Sequence, residues 1–381
     1  VRIAVAMSGG VDSSVAACLL AREGHEVIGF FMRSGVKSAE GGSRASCCTA
    51  SDATDAARVA DRLAIPFYSL NISEGFARLR EYFASEYLVG RTPSPCVHCN
   101  GWLKFGALLR FARQCGAEAI ATGHYARVRH DPDRGRWRLL RAVDRAKDQS
   151  YFLFSLTQEQ LSAVRFPLGS RTKEEVRAVA REARLGVGDK PESQEICFAP
   201  GGDYARVVEA TSGAASRPGP IVDETGRRVG THRGTVHYTI GQRRGLGVAF
   251  GERRYVTAID PATNTVVLGP EDGLLADGAR LSGANWIGDE PTPGESLRAL
   301  AQIRYRHRPS EAMVRVEEGG RAEVRFLARQ RAIVPGQAVV VSRGEEILGG
   351  GWIDEALGVT SSSPRAESTS LRDPLSGVFP V

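Results

Sequence analysis

The chain predicts an α/β fold with a doubly wound parallel sheet, followed by a small β-rich central domain and a C-terminal β-barrel. Three observations carry this. From Val1 to about Phe198, apolar strand-like runs alternate with helical patterns. The stretch TSGAASRPGP at 211–220 then breaks the composition, and beyond it glycine, valine and threonine rise between recurrent turns. The boundaries read as 1–202 for the α/β domain, 203–275 for the central domain and 279–356 for the barrel. The remainder, 357–381, is a serine- and proline-rich tail expected to be disordered.

Taken in order, Val1–Met7 reads as a buried strand and a helix opens at Val11. Glu26–Met32 is the next strand, Ser51–Leu63 a helix and Pro66–Leu70 a strand. Another helical stretch precedes a helix at Leu103–Gln114 and a strand at Ala117–Thr122. Ligands of such sheets sit outside the carboxyl ends of the strands, which selects Ser8–Ser13, Phe31–Met32 and Gly123–His124. Gly35–Ser46, rich in glycine and serine, reads as a mobile loop near the first of these. Ile221–Gly269 reads as the β-rich domain. Ala279–Ile353 reads as short strands with turns at Pro293-Gly294, Gly319-Gly320 and Pro335-Gly336. No internal repeat is evident.

A length of 381 residues suits two to three domains. Apolar residues make up 42% and charged residues 25%, and no run approaches the ~20 apolar residues that a bilayer requires, so a membrane partner is not expected. The first residues read directly as strand and turn, with no signal-peptide pattern, so a cytoplasmic location is expected. Seven cysteines, an odd number, then suggest thiols, catalysts or metal ligands rather than structural disulfides. A net charge of +6 is compatible with a polyanionic partner, and arginine's dominance over lysine suits bidentate phosphate contacts, although a GC-rich genome gives the same bias.

The run Ala6-Met-Ser-Gly-Gly-Val-Asp-Ser-Ser14 reads as a phosphate cradle between strand and helix. Gly9 and Gly10 let backbone approach an anion, while Ser8, Ser13 and Ser14 add hydroxyls at a helix N-terminus. Two glycines alone are usually only a turn; the serines, Asp12 and the setting shift the reading to nucleotide. It is not a Walker A loop, since the Lys-Ser/Thr pair is missing. It resembles the PP-loop, SGGxDS, of ATP pyrophosphatases, an adenine nucleotide alpha hydrolase-like fold. That resemblance implies ATP as substrate, attack on its α-phosphate, departure of pyrophosphate and Mg2+ as companion.

In Arg91-Thr-Pro-Ser-Pro-Cys-Val-His-Cys-Asn100, Pro93 and Pro95 are expected to prevent regular helix, leaving Cys96 and Cys99 on an extended or turning loop. Cys197 lies far along the chain in KPESQEICF. By itself Cys197 would read as a small hydrophobe between Ile196 and Phe198. A zinc reading of Cys96 and Cys99 lacks a second C-x-x-C. Cys47 and Cys48 read as structural or incidental, and Cys18 and Cys115 as packing residues.

Together with GHYARV at Gly123, KDQSYFL at Lys147, GQRRGLG at Gly241 and IRYRHR at Ile303, these motifs make the chain resemble the bacterial tRNA-specific 2-thiouridylases, the MnmA family, over about 1–356. The resemblance implies a tRNA-uridine 2-sulfurtransferase acting on wobble uridine 34 of tRNAs for lysine, glutamate and glutamine. ATP would adenylate the C2 oxygen, and a persulfide on Cys197 would deliver sulfur. Cys99 would attack that persulfide to release sulfide, closing a disulfide with Cys197, or assist transfer more directly. The sulfur donor would be a cysteine desulfurase or a relay protein. The ATP contacts implied are Ala6, Met7, Ser8, Gly9, Gly10, Val11, Asp12, Ser13, Met32 and Gly123. Lys104 and Lys190 are candidates to favour a thiolate.

For tRNA the resemblance implies Ser94, Pro95, Cys96, His124, Lys147, Asp148, Gln149, Arg304, Tyr305 and Gln337. If 303–308 is a strand, Arg304, Arg306 and Arg308 share one face. The target uridine would be turned out of its stack. With about six phosphates engaged, log affinity would fall with log salt at a slope of about −4 to −5. Many family members carry aspartate where Cys96 stands, and a thiol does not inherit a carboxylate's acid/base role. The set Cys96, Cys99 and Cys197 also resembles the ligands of iron-sulfur tRNA thiolases. The alternatives are another PP-loop tRNA-modifying enzyme, such as a 4-thiouridine or lysidine synthase, and a non-catalytic RNA-binding relic.

Overall fold

The structure, a computed structural model, describes residues 1–35, 49–191 and 196–358. The expectations for the glycine-rich loop beyond Gly35, for Cys47 and Cys48, and for the tail from 359 fall outside the described residues.

The α/β region opens with β1 (Arg2–Ala6), α1 (Val11–Arg22), β2 (Glu26–Arg33), α2 (Ala50–Leu63), β3 (Phe67–Asn71) and α3 (Ser73–Leu88). Next come α4 (Pro95–His98), a π-helix (Cys99–Leu108) and α5 (Leu109–Gln114), followed by β4 (Ala119–Ala121). A hairpin, β5 (Ala126–Asp131) and β6 (Arg136–Arg141), then precedes α6 (Gln158–Ala163), β7 (Val164–Arg165), α7 (Lys173–Glu182) and α8 (Tyr204–Ser212). The strands form a parallel sheet in the order β3-β2-β1-β4-β7. Alternation along β1 explains why it is wound on both faces. Ile3 and Val5 pack with Val15, Val59 and Val176 of α1, α2 and α7. Ala4 and Ala6 pack with Phe105, Leu108, Ala112 and Leu161 on the other side. Three of these helices start at capping boxes, Thr49 with Asp52, Thr157 with Gln160 and Thr172 with Glu175, each satisfying two otherwise orphaned N–H groups.

Beyond the α/β region, β8 (Gly219–Asp223), β9 (Arg228–His232), β10 (Tyr255–Asp260) and β11 (Thr265–Gly269) form a four-stranded sheet. Six strands make the barrel: β12 (Leu275–Trp286), β13 (Ser296–Gln302), β14 (Ser310–Glu317), β15 (Arg321–Arg331), β16 (Ala338–Arg343) and β17 (Glu346–Leu357). Pairing of β12 with both β15 and β17 closes it. The predicted fold class is therefore the observed one.

Three local expectations are corrected. The β5–β6 hairpin, unforeseen inside the α/β region, leaves the parallel sheet and extends the barrel's sheet through Leu139↔Ile347. Pro95 does not prevent a helix: it occupies the first turn of α4, where a missing N–H costs nothing. Cys96 and Cys99 are thus helical. Residues 303–308 form a turn rather than a strand, so the three arginines do not line one face. Gln302 fixes that turn by donating from Nε2 to the carbonyls of Arg304 (3.2 Å) and Tyr305 (2.6 Å).

Candidate nucleotide and thiol site

The glycine loop joins the carboxyl end of β1 to α1. Gly9 has φ +74°, and a Cβ there would lie 2.2 Å from the Asp52 carbonyl oxygen, so the position admits only glycine. Ser13 Oγ accepts from the Ser8 N–H (3.0 Å), and Ser14 Oγ donates to the Gly10 carbonyl (2.8 Å), which closes the loop on itself. Among the described residues no side chain caps α1, leaving its N-terminal amides and dipole turned to the loop. Gly123, just beyond β4, forms the other wall: a Cβ there would sit 2.6 Å from Asp12 C and Ser13 N. Met7 is buried and donates its N–H to Phe30 O (2.8 Å).

Two lysines flank this loop. Lys173 Nζ lies 2.7 and 2.9 Å from the two carboxylate oxygens of Asp12, which also accepts from Tyr125 OH (2.9 Å). Lys190 Nζ donates to the Gly9 carbonyl (3.0 Å), Asp52 Oδ1 (2.7 Å) and Asp55 Oδ2 (2.7 Å). Burial opposes its charge, but the bonds to Asp52 and Asp55 outweigh that and raise its pKa. Lys190, expected to attend the cysteines, is thus tied to the glycine loop. Sequence reasoning missed Lys173, Tyr125, Asp52 and Asp55. The Thr49-x-x-Asp52 box was the one available signal, and it marks a helix start rather than a ligand.

Cys99 and Cys197 come together in a different sense. Both border one apolar cluster containing Ile72, Phe76, Phe83, Leu103 and Phe198, and Met32 from the end of β2 packs on the same cluster. Phe198 meets Phe83 and Phe76 edge-on at 5.2 and 6.4 Å, anchoring the residue next to Cys197. Cys96, Cys99 and Cys197 are partly exposed thiols, whereas Cys18 is buried in α1, and burial raises its pKa. No group of three or more His, Cys, Asp or Glu among the described residues is placed to hold a metal ion. The three thiols therefore do not fit an iron-sulfur ligand set as they stand.

The side chains expected at RNA mostly bond within the protein. Asp148 accepts from Arg141 (3.0 Å), the Ser150 hydroxyl (3.0 Å) and the Ala142 N–H (3.0 Å). Gln149 Oε1 accepts from Tyr125 N–H (3.1 Å), and Lys147 lies in the turn beside them. The His124 ring is buried near Phe105 and Phe166, with Nδ1 2.6 Å from Thr122 Oγ1. Burial, then Lys104, holds its pKa well below the ordinary value. Arg304 is half-buried and donates to the carbonyls of Arg331 and Ala332, while Tyr305 packs on Phe152 with ring centroids 4.4 Å apart. Ser94 and Pro95 are buried at the start of α4. Gln337 Nε2 donates to the carbonyls of Thr92 (2.9 Å) and Pro93 (3.1 Å).

An uncapped helix at a glycine loop on the carboxyl end of β1, with two lysines beside it, defines the class: a nucleotide-binding α/β enzyme. The family models for the tRNA methyl transferase HUP domain, the tRNA methyl transferase PRC-barrel domain and the aminomethyltransferase beta-barrel domain match 1–201, 211–270 and 276–353. The chain is 52% identical to the tRNA-specific 2-thiouridylase MnmA of Geotalea uraniireducens over 93% of this chain and 96% of that one. Identity to the same-named proteins of Geobacter metallireducens and Carboxydothermus hydrogenoformans is 51% and 48%, over 93% of this chain and 97% and 98% of theirs. The chain belongs to the tRNA-specific 2-thiouridylase family.

Proposed function

We propose that the protein is a tRNA-uridine 2-sulfurtransferase that thiolates wobble uridine 34 of tRNAs for lysine, glutamate and glutamine. ATP binds at the glycine loop through Ala6–Ser13, Met32 and Gly123, with Mg2+ arriving on the nucleotide. The uridine C2 oxygen attacks the α-phosphorus, forming a C2–O–P bond while pyrophosphate leaves. A donor protein, a cysteine desulfurase or a relay protein, charges Cys197 as a persulfide. The Cys99 thiolate attacks the inner sulfur, forming a Cys99–Cys197 disulfide and releasing hydrosulfide. Hydrosulfide adds to C2, AMP leaves, and one proton is lost to give the thione. A thiol reductant restores the two thiols. Catalysis falls to residues 1–202 and tRNA binding extends onto the barrel, 279–356, with 203–275 a central β-rich domain between them.

The observation that carries this reading is Met32. It follows Phe30, the partner of Ala6 and Met7 beside the glycine loop, and it packs on the cluster that Cys99 and Cys197 border. One strand end thus borders both the glycine loop and the cluster that carries the thiols, which supports adenylation followed by sulfur transfer in one cleft. No helix among the described residues is long and apolar enough to cross a membrane, and we place the enzyme in the cytoplasm. The test separates the two half-reactions. Asp12→Ala lowers tRNA-dependent pyrophosphate release, whereas Cys197→Ser retains that release and yields no 2-thiouridine by nucleoside mass spectrometry. Equal loss of both steps in Cys197→Ser overturns the assignment, and a 4-thiouridine or lysidine product would identify one of the rival enzymes.

A further inference from the structure

The segment carrying Cys96 and Cys99 starts a helical run at its least supported end. Thr92, Pro93 and Ser94 precede α4, Pro93 lacks an N–H, and among the described residues no side chain caps the helix start. From Pro95 the helical backbone continues without a break through the π-helix to Gln114, so whatever fixes residues 92–98 fixes how the whole run enters the site.

What holds the segment from outside is one edge of the C-terminal barrel. The Gln337 amide donates both of its bonds to it, to the carbonyls of Thr92 and Pro93. Thr92 N–H donates to the Pro335 carbonyl (2.8 Å). Gly336, with φ +89°, lies so near that a Cβ would fall 2.8 Å from the Thr92 carbonyl oxygen. Arg91, largely buried, bonds Glu86 (2.8 Å), the Ile353 carbonyl (3.2 Å) and Asp354 (3.5 Å). At the far end of α4, Trp352 of β17 stacks on the His98 ring at 4.3 Å with an interplanar angle of 11°. His98 immediately precedes Cys99. Both ends of α4 are thus fixed to the same two barrel segments, the 334–337 turn and 352–354 of β17, which are themselves joined by the Gly336 N–H to Ile353 O and Ile353 N–H to Gln337 O bonds.

We propose that the barrel acts as a clamp on this segment, and that Gln337 and Trp352 are positioning residues for sulfur transfer that set where the Cys99 thiol stands. The inference rests on the function proposed above for what Cys99 does, but the clamp itself is a property of the enzyme without RNA. Gln337 serves the protein's own backbone through the same two N–H groups that an RNA contact would need. Loosening the clamp displaces one reacting sulfur relative to the other, and displacements of about 1 Å at a reacting centre cost up to about 100-fold in rate.

The experiment uses the full chain as Gln337→Ala, Gln337→Glu, Trp352→Ala and Trp352→Phe. Gln337→Glu keeps the shape and replaces both donors with acceptors. The first measurement needs neither tRNA nor ATP: alkylation of Cys99 by iodoacetamide, followed by peptide mass spectrometry. A clamp predicts several-fold faster alkylation in both Gln337 variants and in Trp352→Ala, with Trp352→Phe restored towards the parent because a flat ring still stacks on His98. The second measurement is thiolation kinetics: a clamp predicts a lower kcat, by about tenfold or more, with tRNA affinity within about twofold. Unchanged alkylation with weakened tRNA binding overturns the clamp and makes Gln337 an RNA contact. Should the Gln337 variants fail to fold, equal alkylation of Trp352→Ala and the parent overturns it just as well. A parent enzyme that makes no 2-thiouridine defeats the functional reading while the alkylation arm still decides the clamp.

Discussion

At the scale of single residues, Asp12 shows why part of the site is hidden from sequence. The loop that contains it is contiguous, so its glycines and serines declare a phosphate cradle without any structure. Its partner Lys173 is 161 positions away and begins an ordinary helix in Thr-Lys-Glu-Glu, where nothing local separates a buried cation from a solvated one. Lys173→Met removes both contacts to Asp12 and leaves the carboxylate to Tyr125 OH. Bonds to charged groups contribute about 1.5–3 kcal/mol, so the urea midpoint is expected to fall by the equivalent of about 2 kcal/mol, against about 1 kcal/mol for Tyr125→Phe. Equal stability of Lys173→Met and the parent would show that the pair is electrostatically neutral to folding.

Among the elements, the π-helix is the one most dependent on its surroundings. Its wide turns are capped from outside by Gln160, whose Nε2 donates to the carbonyls of Gly101 and Phe105 at 3.1 Å each, and its own Asn100 is tied outward, Nδ2 donating to the Phe152 carbonyl at 3.2 Å. Gly106 permits the close approach, since a Cβ there would meet the Gly101 carbonyl oxygen at 2.8 Å. Gln160→Leu is therefore expected to speed amide exchange across 99–108 and slow thiolation, with the exchange of β1 and α1 unaltered. Uniform protection in the variant would count against external capping. The elements that were misread share a cause. Two prolines suggested irregular backbone before Cys96, but Pro95 tolerates the first turn of a helix, and only the contacts made by Ser94 and the barrel reveal that a helix is formed. The alternating arginines at 304, 306 and 308 suggested a strand, yet a single buried Gln302 turns the chain. The β5–β6 hairpin was invisible because its partner, Ile347, lies some two hundred positions on.

For the whole molecule, the meeting of α/β domain and barrel predicts an acid limit. His98 sits between Trp102 and Trp352, with centroids at 4.1 and 4.3 Å, and burial lowers its pKa to about 3. The unfolded chain takes up a proton near the ordinary histidine value, so between there and about pH 3 it binds more protons than the folded one. Stability is complete above about pH 6.5 and declines as pH falls, by at most about 1.4 kcal/mol per unit for this residue. His124, shifted the same way by burial, adds to the decline. His98→Asn is expected to flatten the pH dependence of the urea midpoint, and an unchanged slope would refute the burial of a neutral ring. The hairpin that crosses from one region to the other has a consequence in time. Its barrel partner, β17, is made some two hundred positions later, so during synthesis β6 and the Cys99 segment wait for contacts that arrive late. A fragment ending ahead of Ile347 lacks both the partner of β6 and the Trp352 ring that stacks beside the Cys99 segment.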